Sequence, residues 1–129
     1  MSKIQFFRGA GTSEPIFNLR NGTFYDTQGS SHILCNIKGL TAYRGGGTAN
    51  VLLNVVGTKV FKGAGTGECL YTINGNKVCR GADIGKVLFN CYGNKLFEGA
   101  GTSTPVCSWS GERLSSAELA CVAWLIQEG

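Results

Sequence analysis

Basic side chains return at a fixed interval along this sequence. Lys59, Lys77, Lys95 and Arg113 stand 18 residues apart. A second set, Arg8, Arg44, Lys62 and Arg80, falls three places later in the same period. Cations gathered on one surface attract anionic groups. The first set is therefore the candidate site, a cationic arc for an anionic headgroup. The plainer reading of the same residues is a solvated rim that keeps a sheet soluble.

Other chemistry finds less support. A hydrolase triad needs a base, usually His, and His32, in the polar stretch "QGSSH", is the single histidine. Asp26, Asp83, Glu14, Glu68, Glu98 and Glu112 occupy different places in the period, so nothing pairs them for acid–base work. Six Cys without a C-x-x-C pair and with one His argue against a zinc site. No Gly-Lys-Ser/Thr follows the glycine-rich stretches, so they are not phosphate loops. No catalytic constellation, metal set or cofactor is expected, and a protein that is not an enzyme is the reading.

The elements that must carry the arc follow from the repeat. In a chain of 129 residues, 43% apolar residues suffice for one buried core, and the single domain is expected to span 1–129. Gly is abundant, 20 residues against 2 Pro, which signals many tight turns. Units of 18 begin at Pro15, Ile33, Val51, Cys69, Val87 and Pro105 without a slip in register. The fourth residue of each is Asn18, Asn36, Asn54, Thr72, Asn90 and Ser108. Bulky residues fill places ten and eleven, as in Val60-Phe61 and Leu96-Phe97, and a Gly-Ala-Gly-Thr-like loop follows.

Each unit reads as a β-hairpin, with strands over places two to six and nine to twelve. A two-residue turn such as Gly75-Asn76 or Gly93-Asn94 joins them. Strand alternation puts places nine and twelve on opposite faces. The aromatics at place eleven are read as internal, which leaves no exposed stacking platform for nucleic acid. A left-handed β-helix shares the 18-residue period, but its third side would require apolar residues where Ser13, Ser31, Gly67 and Gly85 stand. A propeller blade needs about 40 residues.

Twelve strands result, and the first and last are the two halves of one further hairpin. Their meeting would close a barrel over 3–114 and remove its edges. About twelve strands enclose more space than wall side chains fill. The segment 115–127, "SSAELACVAWLIQ", supplies a capping box at Ser115 and Glu118 and is apolar on every face. It is expected either to plug the barrel, with Trp124 at the apolar centre, or to lie across one mouth. The fold expected is mainly β: a closed barrel of 18-residue hairpin repeats with a buried C-terminal α-helix. Five of the cysteines replace core residues and are expected to be reduced structural thiols.

Repeats of the form "VLFNCYGNKLFEGAG" resemble the bacterial β-flower families, shallow barrels of repeated hairpins. The plan is similar to the tubby C-terminal-like fold, in which a barrel surrounds a C-terminal helix. Families of that shape include phosphoinositide-binding members, so the resemblance implies a membrane-surface role.

The N-terminal stretch lacks the long apolar run of a signal peptide, and no stretch approaches the roughly 20 residues a membrane helix needs. A cytoplasmic protein, peripheral at a membrane, is expected. Binding of an anionic lipid or membrane surface is the first functional expectation. A structural or protein-interaction module is the second, and a lectin with one sugar per hairpin the weakest.

Overall fold

The structure is a computed structural model that describes residues 3–11, 13–26, 32–110 and 114–127. Twelve antiparallel strands form a closed barrel. They are β1 (Lys3–Arg8), β2 (Pro15–Arg20), β3 (Thr23–Asp26), β4 (Ile33–Lys38), β5 (Thr41–Arg44) and β6 (Val51–Val56). Next come β7 (Lys59–Lys62), β8 (Cys69–Asn74), β9 (Lys77–Arg80), β10 (Val87–Tyr92), β11 (Lys95–Glu98) and β12 (Pro105–Ser110). One helix, α1 (Ser116–Gln127), follows.

Each hairpin turns by glycine. In the β4–β5, β6–β7, β8–β9 and β10–β11 turns the first central residue, Gly39, Gly57, Gly75 or Gly93, has φ of 61–65°. The second has negative φ, the type II′ signature, so Asn76 and Asn94 need no left-handed backbone. The β2–β3 turn is different: Asn21 (φ 54°) and Gly22 (φ 77°) are both left-handed, as type I′ requires.

Successive hairpins are joined by six-residue excursions. The place-twelve N–H donates to the carbonyl six residues on, as from Lys62 to Glu68 at 2.9 Å and from Glu98 to Thr104 at 2.8 Å. A β-bulge occurs at every junction between units, for example between Val60 and Phe61. Bulges add twist, and twist lets short strands curve into a closed ring.

The ring closes where β1 meets β12, with Phe6 opposite Trp109 and Phe7 opposite Ser108. The seam repeats the contacts of the covalent units. Gly9 N–H donates to Val106 O at 3.0 Å, as Gly63 does to Leu52 O at 2.9 Å. The two termini thus assemble a sixth hairpin.

Register fixes the two faces of the wall. Place ten lies opposite places three and five: Val60 faces Val55 and Tyr71, and Val78 faces Ile73. These residues point inward and are buried. Place eleven lies opposite Asn at place four and points outward, which corrects the expectation that its aromatics are internal. Tyr25, Tyr43 and Phe61 are half-buried there.

The helix occupies the interior. Ala117, Leu119, Ala120, Cys121, Val122, Ala123 and Leu125 are all buried, and they cover the full circumference of α1. Its first turn lies near the hairpin turns at 75–76 and 93–94, and Leu125 and Ile126 near the loop end by Pro15 and Pro105. It therefore runs from one mouth to the other. Trp124 is not central. It is half-buried near the loop mouth, with the Arg44 guanidinium 5.8 Å from its ring centroid. The centre belongs to Ala120, Val122 and Ala123, each 0% exposed.

The helix does not sit on the axis. It packs nearest β5, β6 and β8, where Ala42 leaves room. The other side is filled by Phe6, Phe17, Phe24 and Trp109. Phe6 has ring centroids 5.0 Å from Phe17, 6.1 Å from Phe24 and 5.5 Å from Trp109.

Candidate functional site

The lysine arc is built by the hairpin register. Lys59, Lys77 and Lys95 open β7, β9 and β11 directly after their turns. Lys59 pairs with Val56 and Thr72, Lys77 with Asn74 and Asn90, and Lys95 with Tyr92 and Ser108. All three side chains share the outer face with place four. One strand lies between neighbouring lysines, which puts them two strand spacings, about 10 Å, apart. No carboxylate lies opposite them, and none of them forms an ion pair among the described residues. Arg113, the fourth residue of the expected arc, lies outside the described residues.

The register adds residues that the period alone does not single out. Lys38, Val56 and Tyr92, at place six, flank the same turn mouth on the same face. Val56 is 49% exposed and Tyr92 66%. Leu40, in the β4–β5 turn, is exposed beside them. A belt of lysines interleaved with exposed apolar side chains results. The signal that could have found it is the cross-strand pairing of places six and nine.

The second basic set is placed differently. Arg8, Arg44, Lys62 and Arg80 lie at the opposite, loop mouth, exposed, on the inward register. Asp26 and Glu98 hold the same place in their own hairpins and break the cationic ring. Arg8 Nε donates to Glu14 Oε2 at 3.1 Å, an exposed pair of small energetic weight.

Place four serves the fold. Asn36 donates through Nδ2 to Gly45 O at 2.8 Å and Gly47 O at 2.9 Å. Asn90 donates to Gly101 O at 3.0 Å, and Thr72 Oγ1 to Gly81 O at 2.7 Å. Across the seam Ser108 Oγ donates to Gly11 O at 3.1 Å. These side chains hold the Gly-Ala-Gly-Thr loops against the outer wall, which is why loop and Asn recur together.

All six cysteines are free, and Cys35, Cys79, Cys107 and Cys121 are buried. Burial pushes the Cys107 thiol from an ordinary 9.0 to about 12. The Cys121 thiol is also raised, by its hydrogen bond with Cys35 and then by burial. Thiols held protonated are poor nucleophiles. Among the described residues no His, Cys, Asp and Glu gather into a metal-binding group. His32 is exposed.

The family model of the 6-fold beta flower protein matches residues 6–118. This chain belongs to the β-flower family. The six-fold description agrees with the five covalent hairpins and the one assembled from the termini. No curated protein and no solved structure matches this β-flower protein. Among the described residues no helix of the β-flower chain is long and apolar enough to cross a membrane.

Proposed function

We infer that this β-flower protein is a non-catalytic barrel module that binds an anionic membrane surface through the turn mouth of its outer wall. One observation carries the reading: Lys59, Lys77 and Lys95, on successive hairpins beside the exposed Val56 and Tyr92, form no ion pair among the described residues. Lysines with an exposed aromatic suit the headgroup region, where Tyr sits well and each cation contributes about 1 kcal/mol. Three such lysines give weak, reversible attachment. The protein would act at the cytoplasmic face of a membrane.

Co-sedimentation with vesicles tests this. Vesicles with 30% phosphatidylserine, a fraction of about the magnitude that gives a cytoplasmic leaflet its negative potential, should retain the protein at low salt. Neutral vesicles should not, and moderate salt should release it. The triple change Lys59→Gln, Lys77→Gln and Lys95→Gln should abolish retention. Equal, negligible retention on both vesicle types would sink the reading. A concentration-dependent mass in light scattering, untouched by lipid, would favour a protein-interaction module instead.

A further inference from the structure

The interior holds a pair of reactive side chains that the outer-wall reading does not use. Cys35 stands at place three of β4 and points inward, opposite Phe24 of β3. Cys121 stands on α1. Both are buried, and their thiols share a hydrogen bond between helix and wall. The contact lies next to β5, one of the strands α1 packs against most closely. To bond covalently, the two sulfurs need only close from hydrogen-bond contact to about 2.0 Å.

Register denies the other cysteines such a partner. Cys91 and Cys107 both point inward, but each lies opposite Leu96 from its own side of β11. Two strand spacings, about 10 Å, separate them, beyond the roughly 7 Å between Cα atoms that a disulfide spans. Cys79 pairs with Thr72, three residues along β8 from Cys69, which is again about 10 Å. Those two thiols donate to backbone carbonyls instead, Cys69 to Tyr71 O at 3.2 Å and Cys79 to Ile84 O at 3.9 Å.

We propose that Cys35 and Cys121 form a redox latch, which hydrogen peroxide closes into a disulfide that ties the helix to the barrel wall. The peroxide takes two electrons from one thiol: its O–O bond breaks, a sulfenic acid forms and one water leaves. The second sulfur then attacks the first. An S–S bond forms, and the sulfenic oxygen leaves with the second thiol's proton as another water. Burial shields both groups, so the resting state is reduced and reaction starts when local opening exposes a thiol. Redocking of α1 delivers the partner. The closed latch makes a loop of most of the chain, which restricts the unfolded state and stabilises the fold. This inference is independent of the membrane reading.

Treatment of the folded full chain with hydrogen peroxide tests it, read by intact mass and by a peptide map made without reductant. The mass should fall by two hydrogens, and the map should show one link, between residues 35 and 121. The oxidised protein should melt several degrees higher, and a thiol reductant should reverse both changes. Cys121→Ala and Cys35→Ala should each lose the link and the melting response, and either one suffices if the other fails to fold. Cys107→Ala should keep both. Oxygen gained without a link, a link between any other cysteines that forms as fast, or a 35–121 link that leaves the melting temperature unchanged would overturn the proposal.

Discussion

At the scale of single residues, the place-four side chain and the buried thiols carry the clearest consequences. Asn36 donates to two loop carbonyls. Asn36→Asp keeps the shape but turns both donors into acceptors facing acceptors. The cost should be about 2–3 kcal/mol, seen as a melting point lower by about 10 °C. Asn36→Ala should cost less. The reverse order would refute the pinning role. Cys107 sets an alkaline limit. Its folded value of about 12 lies above the ordinary 9.0, so the unfolded chain loses its proton first. Stability from this group is therefore intact below pH about 9 and falls as pH rises toward 12, by about 4 kcal/mol at its limit. Denaturant titrations of the parent and Cys107→Ala should converge across that window. Parallel curves would show that Cys107 stays outside the linkage.

Among elements, α1 decides whether the barrel stands. Its interior positions are Ala120, Val122 and Ala123, while Trp124 lies beside Arg44 at the loop mouth. Ala123→Trp should therefore disrupt folding by overpacking, whereas Trp124→Ala should cost less than the roughly 3–5 kcal/mol of a core tryptophan. Truncation after Leu114 should give a chain without a cooperative melt. A soluble truncation that melts near the parent would remove the helix from the core. The burial of α1 is legible in sequence because 119–126 is apolar on all faces. The place of Trp124 is not, since depth along the axis depends on where the chain enters. Hairpins and turns are legible too, because Gly at place seven repeats with the period. The facing of Phe24 against Tyr25, or Val60 against Phe61, is not. Both residues of each pair are bulky. The lysines of the candidate site follow from the period. Val56 and Tyr92 do not, because place six varies from Arg20 to Ser110.

For the whole molecule, the off-axis helix gives the irregularities of the repeat a meaning. Place ten reads Phe6, Phe24, Ala42, Val60, Val78 and Leu96 around the ring. The large rings lie together with Phe17 and Trp109, and the small Ala42 lies on β5, one of the strands nearest α1. One helix cannot satisfy six equivalent walls, since it has no six-fold symmetry of its own. Replacing odd repeat residues by the commonest type usually stabilises repeat proteins. Here Ala42→Val, although it brings the unit into line with its neighbours, should overpack the helix side and cost about 1–3 kcal/mol. Phe24→Val should open a void opposite it. Thermal melts of the two single variants and the double variant would decide. If harmonising the units raised the melting point, the unevenness would be mere drift. Otherwise the departures from the repeat are its instructions: the copied part of each unit draws the circle, and the uncopied part says where the centre is not.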